Sequence, residues 1–134
     1  MLSVMNMFVK KVVPDSIVRK LSKEEFTRYM EPFPTIKSRK PVRRWPQQIP
    51  IDGKPSGVYK IIDDYHKWLQ RSDVPKLCLY ANPGAIITDK HVEHVKTSFP
   101  NTKMVDIGEG LHYLQEDHPH EIGEEIAAWL KEVS

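Results

Sequence analysis

Apolar residues of the first half recur at helical spacing in two segments. The first begins with Ser22 and carries Glu25 three positions later, the arrangement of a capping box, which predicts a short helix over residues 22–30. A longer helix is predicted to start at a Ser56 cap. Its apolar stripe at helical spacing consists of Val58, Ile61, Ile62, Tyr65, Trp68 and Leu69.

The second half alternates short apolar runs with helical patterns. Residues 77–81 and 103–107 are predicted strands, the first of them buried on both faces. Thr88 is predicted to cap the helix between them, and Pro119 suits the first turn of a final helix. The order strand, helix, strand, loop, helix is typical of a doubly wound α/β fold with parallel strands.

Two features complicate this picture. Residues 32–55 contain six of the eleven prolines, which predicts a long ordered loop and no helix. Two parallel strands also form only the edge of a sheet and leave backbone groups unpaired. We therefore expect that a partner chain completes the sheet, or that the sequence is the C-terminal part of a larger enzyme.

Composition places the chain among ordinary soluble proteins. It has 134 residues, of which 40% are hydrophobic and 28% charged, enough for one domain of moderate size. No apolar run reaches the roughly 18 residues that a membrane span requires. The first charges, Lys10 and Lys11, follow the apolar start, unlike those of a secretory signal. The single cysteine, Cys78, cannot form an internal disulfide, so we expect a cytoplasmic protein.

Charge is distributed unevenly between the two halves. Residues 1–50 hold 11 Lys and Arg against 4 Asp and Glu, a net +7, whereas residues 51–134 hold 9 against 14, a net −5. The basic segment 37–44 lacks the stacking aromatics or groove-reading helix of nucleic-acid modules. It is interpreted as a solvated face, and no nucleic-acid partner is expected.

The other histidines give no metal site. His91 and His94 stand three apart, whereas zinc helices of the H-E-x-x-H type need a spacing of four and a third ligand. His118 and His120 flank Pro119 at a helix start. No metal is therefore predicted, and Cys78 is interpreted as a packing residue because a reactive thiolate needs an electropositive, partly exposed setting.

His112 is the strongest candidate for chemistry. It lies in the loop beyond the carboxyl end of the second predicted strand, where open α/β sheets bind ligands. By its position alone it is more simply a surface or packing residue, but the surrounding sequence changes that interpretation.

In four blocks of similar order and spacing, within residues 6–133, the chain resembles the haloalkane dehalogenases of the α/β-hydrolase superfamily, with coelenterazine luciferases as relatives. These blocks are Arg19-Lys20-Leu21-Ser22 leading to Tyr29-Met30-Glu31-Pro32-Phe33, then Trp45-Pro46-Gln47-Gln48-Ile49-Pro50-Ile51, then Val74-Pro75-Lys76-Leu77 leading to Asn82-Pro83-Gly84-Ala85, and Gly110-Leu111-His112-Tyr113-Leu114-Gln115-Glu116-Asp117.

The resemblance implies an incomplete α/β-hydrolase fold. Residues 1–70 would be the latter part of a helical cap and its return to the core, and residues 71–134 the last two strands and flanking helices of that core. His112 would be the base that deprotonates water to hydrolyse an alkyl-enzyme ester, a role suited to a mostly neutral imidazole. A small apolar halogenated substrate is implied, with no cofactor. By position, the residues implied to line its pocket are Trp45, Pro46, Ile49, Ala85, Ile86 and Tyr113.

The sequence also departs from the family. It has no G-x-(S/D/C)-x-G nucleophile elbow, since residues 53–57 place Pro55 where the nucleophile would stand. At one of the two family positions for the triad acid the chain has residues 82–84, Asn-Pro-Gly, and Asp89 is a poor substitute. Three interpretations remain open: the C-terminal portion of a dehalogenase-like hydrolase, a luciferase-like monooxygenase on the same scaffold, or an inactive truncated hydrolase. Whether the chain alone is an enzyme stays open, and we expect it alone to be inactive.

Overall fold

The computed structural model describes residues 6–134, which fall into two compact units. The first unit comprises residues 6–15 and 20–66, and the second comprises residues 16–19 and 67–134. The expected division of cap from core at residue 70 stays a prediction.

The first unit is built from short helices. Its π-helical turn packs Val9 inward, and Val13 one turn later is also buried, together with the side chain of Asn6. The Asn6 amide donates to the Met30 thioether over 3.4 Å. In chain order the elements are the π-helical turn Phe8–Val12, α1 (Val13–Asp15), α2 (Lys23–Met30), α3 (Lys40–Arg44), the 3-10 turn Trp45–Gln48 and α4 (Ser56–Leu69), which continues into the second unit.

The predicted capping box at the start of α2 is confirmed. The Ser22 amide donates to Glu25 Oε2 over 2.7 Å, and the Glu25 amide donates to Ser22 Oγ over 3.2 Å. Two amides of the first turn, which have no partner inside the helix, are satisfied in this way. The local sequence therefore fixes where this helix begins.

The prediction that residues 32–55 contain no helix is wrong. Both α3 and the 3-10 turn lie in this stretch, with Pro41 and Pro46 in their first turns. A proline is tolerated there because the amide that it lacks would have no partner inside the helix. The Arg39 guanidinium orders the preceding loop by donating to the carbonyls of Phe33 and Pro34 over 2.9 and 3.0 Å.

The long helix α4 is present, with two differences from expectation. It begins at Ser56 itself, and the Pro55 carbonyl accepts the Tyr59 amide over 3.0 Å, so Ser56 does not precede the first turn as a cap. Its apolar stripe remains largely exposed, with Ile61 at 69% and Trp68 at 52%. Helical periodicity therefore specified the helix but not a surface to cover it.

The second unit contains the predicted parallel pair of strands, β1 (Lys76–Pro83) and β2 (Thr102–Gly110). Lys76 pairs with Thr102 and Tyr80 with Asp106, and the register shifts before Asn82 pairs with Glu109. Helix α5 (Asp89–Ser98) connects the strands, followed after β2 by α6 (Leu114–Asp117) and α7 (Pro119–Val133). Thr88 precedes α5 in extended geometry and Pro119 opens α7, as predicted.

The prediction that the first strand is buried on both faces is wrong for this chain. Among the described residues of the two strands, the buried apolar side chains are Ala81 and Ile107, and residues 77–79 are half-buried. The reason is that the sheet formed by residues 6–134 has two strands, so each strand has a neighbour along one edge only. A continuous apolar run needs cover on both faces and a neighbour on each side to be fully buried.

Replacing Ser22 by alanine should lower the free energy of unfolding by about 1 kcal/mol, because the hydroxyl that accepts the Glu25 amide is lost. Urea unfolding followed by circular dichroism measures this change. Ser22→Thr, which keeps a hydroxyl, is the matched control. It should lower the free energy of unfolding by only a fraction of that amount. Equal losses in both variants would contradict the capping role.

Candidate active site

The loops that follow β1 and β2 are joined through their main chains. Beyond the last paired residues, the Gly84 amide donates to the Gly110 carbonyl and the Ala85 amide to the Leu111 carbonyl, each over 3.0 Å. Parallel pairing therefore continues past the carboxyl ends of both strands. It brings Ala85 beside the segment that carries His112.

Two glycines permit this close approach. Gly84 has a φ of +66°, and a Cβ atom there would lie 1.9 Å from the Ile87 carbonyl oxygen. A Cβ atom on Gly110 would lie 2.7 Å from the Cβ of Ala81. No other residue type fits either position without moving the backbone.

The segment 16–19 holds the histidine loop from another side. The Ser16 carbonyl accepts the amides of His112 and Tyr113 over 3.1 and 3.2 Å. Three residues further along, Arg19 forms an ion pair of 2.7 Å with Glu116. These contacts join positions that are nearly one hundred residues apart in the chain.

His112 itself is exposed, and its ring lies edge-on to that of Tyr113, with 4.8 Å between the ring centroids. Burial raises the pKa of the Tyr113 phenol, so this group is protonated at neutral pH. Within the second unit, no carboxylate hydrogen-bonds the His112 imidazole. His112 also borders a hollow of about 200 Å³ whose apolar lining includes Leu79, Ala81, Ile87, Val95, Leu111 and Leu114.

The polar residues at the carboxyl ends of the strands and at the start of α5 give His112 no carboxylate partner. The Asp106 carboxylate accepts the Gly108 amide over 2.9 Å at the irregular part of β2. Asp89 is exposed in the first turn of α5. Asn82, at the end of β1, is an exposed neutral amide and offers no charge to an imidazolium. The second unit thus presents a histidine whose backbone is held firmly and whose ring lacks a carboxylate partner.

The predicted substrate-contacting residues fall into one set in each unit. In the first unit, Trp45 and Ile49 border an almost wholly apolar hollow of about 360 Å³ together with Val58 and Ile62, and Pro46 is half-buried nearby in the same turn. In the second unit, Ala85 and Ile86 are exposed in the loop after β1, and Tyr113 lies half-buried beside His112. Their contacts with substrate stay predictions.

Two features escaped the sequence analysis. The segment 16–19 shows no pattern that predicts an attachment to the histidine loop, and the opposite charges of Arg19 and Glu116 are the only trace of it. His118 lies half-buried, and its Nε2 donates to the Glu109 carbonyl over 2.7 Å. It therefore ties the end of β2 to the start of α7.

Membrane and metal-binding features are absent from the part of the chain that the structure describes. Between residues 6 and 134 there is no helix of sufficient length and apolarity to cross a bilayer. In the same residues, no cluster of three or more His, Cys, Asp or Glu side chains is arranged to hold a metal ion.

A two-stranded parallel sheet with flanking helices and a histidine loop beyond its carboxyl edge is consistent with part of an α/β-hydrolase fold. The chain is 42% identical over 125 residues to a haloalkane dehalogenase of Bradyrhizobium diazoefficiens and 44% identical over 128 residues to one of Mesorhizobium japonicum. These matches cover 93% and 96% of this chain but 40% and 41% of the relatives. A scan of protein-family models gives no match.

Solved structures agree with this relationship. Haloalkane dehalogenase DbeA of Bradyrhizobium elkani superposes with a TM-score of 0.96 at 37% identity, covering 99% of this chain and 46% of that one. Haloalkane dehalogenase DatA of Agrobacterium tumefaciens gives a TM-score of 0.89 at 31% identity, with the same coverage of both chains. The chain is thus homologous to a C-terminal portion of the haloalkane dehalogenases. It spans about two fifths of the length of the curated relatives that it matches.

Burial raises the pKa of the Cys78 thiol, so less thiolate is present in the native chain than in the unfolded one at neutral pH. Iodoacetamide should therefore alkylate native Cys78 more slowly than the urea-unfolded chain, because the thiolate is the reactive form. The difference should shrink as pH rises and the native thiol ionises. Mass spectrometry of the single cysteine follows the reaction, and equal native and unfolded rates at neutral pH would contradict a packing role.

Proposed function

We propose that the chain supplies the general base, His112, of a haloalkane dehalogenase that hydrolyses carbon–halogen bonds of small apolar substrates. One observation carries this proposal: an identity of 42–44% with haloalkane dehalogenases over more than nine tenths of the chain. The position of His112 at the carboxyl edge of the parallel sheet supports it, since α/β sheets bind ligands at that edge.

The proposed reaction has two chemical steps. A carboxylate oxygen attacks the carbon that bears the halogen, a C–O bond forms, and the halide leaves with the electron pair of the C–X bond. Water then attacks the carbonyl carbon of the resulting ester while His112 accepts its proton. The alcohol leaves, the carboxylate is restored, and the imidazolium returns its proton to the alkoxide or to solvent. Neither step needs a cofactor.

The nucleophile of this reaction belongs to a part of the enzyme outside these 134 residues. The sequence has no nucleophile elbow, and the relatives are more than twice as long as the matched region. Within the described part of the chain, the outer edges of the sheet have no partner strand and many apolar side chains are exposed. Both features support the presence of further hydrolase core, because such surfaces are uncommon on complete monomeric proteins. A preceding segment or a partner chain would complete the sheet.

The remaining elements of the proposal concern substrate and location. Trp45, Pro46 and Ile49 of the first unit are proposed to contact an apolar substrate. The same role is proposed for Ala85, Ile86 and Tyr113 of the second unit. A cytoplasmic location is proposed because the only cysteine is a free thiol, as is usual in a reducing compartment.

A fusion protein tests the activity. The part of the Bradyrhizobium diazoefficiens relative that precedes the matched region is joined to this chain, and halide release from bromobutane and dibromoethane is measured. We expect sustained turnover by the fusion and none by the 134-residue chain alone. A folded fusion that releases no halide would overturn the proposed activity.

Within the same fusion, His112→Ala should slow steady-state turnover by about 10²–10⁴-fold, because water loses its base. One equivalent of halide should still be released per enzyme, since the base acts after the halide has left. His120→Ala, an exposed histidine of α7, is the matched control and should leave turnover unchanged. Unaltered turnover in His112→Ala would remove the proposed role of this residue.

Replacing Trp45 by alanine in the fusion should lower kcat/KM for bromobutane. The decrease should correspond to a loss of about 1 kcal/mol or more in transition-state binding, the usual effect of losing an apolar substrate contact. Ile36→Ala, an exposed apolar residue outside the predicted set, serves as the control. Steady-state kinetics of both variants decide the matter. A similar loss in each would indicate a general effect on the first unit.

A further inference from the structure

We infer that Asp117 is a positioning residue for His112, acting through the segment 16–19, which we call the brace. The inference rests on the proposed function for its catalytic consequence. Its structural part concerns only contacts within the second unit. It assigns to a carboxylate five residues beyond His112 the task of holding the backbone from which the imidazole projects.

The Asp117 carboxylate uses both oxygens on the brace. Oδ1 accepts the amides of Val18 and Arg19 over 3.1 and 2.9 Å, and Oδ2 accepts the Val18 amide over 3.0 Å. Successive amides pointing at one carboxylate form a charge-assisted clamp, which is stronger than a clamp between neutral groups.

The brace in turn holds the histidine. The Ser16 carbonyl accepts the amides of both His112 and Tyr113. Between Ser16 and the Asp117 clamp lies Ile17, whose side chain is only 5% exposed. The segment is thus fixed at one end by the histidine loop, in the middle by burial, and at the other end by Asp117.

Arg19 closes the arrangement at its far end. Its Nε donates to the Glu116 carbonyl over 2.5 Å, and its guanidinium pairs with the Glu116 carboxylate over 2.7 Å. Glu116 and Asp117, adjacent residues of α6, therefore both bind Arg19. A helix of four residues cannot order the loop by its own hydrogen bonds, so these outside contacts are needed.

A simpler interpretation is that the negative charge of Asp117 stabilises the N-terminus of α7. The geometry argues against this as its main role. Both oxygens are occupied by amides of the brace, and the hydrogen bonds of Asp117 run to residues 98 and 99 positions earlier in the chain. The carboxylate thus serves a long-range contact.

The matter is important for His112 because no carboxylate of the second unit orients its ring. Within this chain, the contacts that place the imidazole are therefore those of its backbone, through the Ser16 carbonyl. A displacement of about 1 Å between reacting groups can cost about a hundredfold in rate. Loosening the brace should consequently affect the step that uses the base more than any other step.

The first experiment uses the 134-residue chain. Amide hydrogen exchange of His112, Tyr113, Val18 and Arg19 is measured by NMR in Asp117→Ala, Asp117→Asn and a control, Glu132→Ala, which loses a surface pair with Lys103. In Asp117→Ala, exchange at all four amides should accelerate at least about tenfold, as expected for loss of charged hydrogen bonds. Asp117→Asn, which keeps one acceptor oxygen, should give a smaller increase, and the control none.

The second experiment uses the same three variants in the fusion protein, with rapid-quench kinetics and mass spectrometry of the alkyl-enzyme ester. Asp117→Ala should slow ester hydrolysis by about tenfold to a hundredfold while the alkylation rate stays unchanged, so the ester accumulates. A purely structural role would reduce the fraction of active enzyme, and so the amount of ester formed, without slowing hydrolysis relative to alkylation.

The outcomes separate the two proposals. Unchanged exchange at His112 and Tyr113, or equal slowing of alkylation and hydrolysis, would overturn the positioning role. If the unaltered fusion forms no ester, the proposed function has failed, and the exchange rates alone then decide whether Asp117 holds the loop. If Asp117→Ala does not fold, Asp117→Asn supplies both measurements.

Discussion

Main-chain hydrogen bonding beyond the ends of two parallel strands is the constraint on which the candidate site depends. Strand pairing runs through Pro83 and Gly110, and the two amides that follow β1 continue it to the carbonyls of Gly110 and Leu111. The residue after Leu111 is His112, whose own amide is taken by Ser16. An unbroken series of backbone contacts therefore leads from the sheet to the residue proposed as the base.

This construction explains why an exposed histidine can still be well placed. Its ring is open to solvent and contacts Tyr113, but its backbone amide donates to the Ser16 carbonyl. Exposure suits a group that exchanges protons with water. The ring stays exposed, as the proposed reaction with a ligand and nucleophile from other parts of an enzyme requires.

Much of the local structure follows from short-range patterns in the sequence. The capping box at Ser22, the proline that opens α7 and both strands were predicted because neighbouring residues alone determine them. The helical turns among the prolines were missed because a proline disrupts a helix in its interior but not in its first turn. The burial of β1 was overestimated because it depends on how many strands lie beside it. The residues of a single strand do not determine that number.

The candidate site divides in the same way. His112 was predicted as a site residue from its place after a strand, together with the resemblance of the surrounding blocks to a known family. The brace was not found, because its contacts join residues 96 to 99 positions apart and depend mostly on backbone atoms, which any sequence provides. Side-chain identity predicts such contacts only where opposite charges meet, as in Arg19 and Glu116.

The backbone attachment of the loop after β1 also bears on how such a scaffold diversifies. Ala85 is held through its amide, and the exposed side chains of Ala85 and Ile86 are not what fixes the loop's path. Neighbouring Gly84, by contrast, tolerates no change. Natural or laboratory evolution can therefore substitute residues 85 and 86 without disturbing the fold. Changes of side chain at these two positions can alter ligand contacts independently of folding.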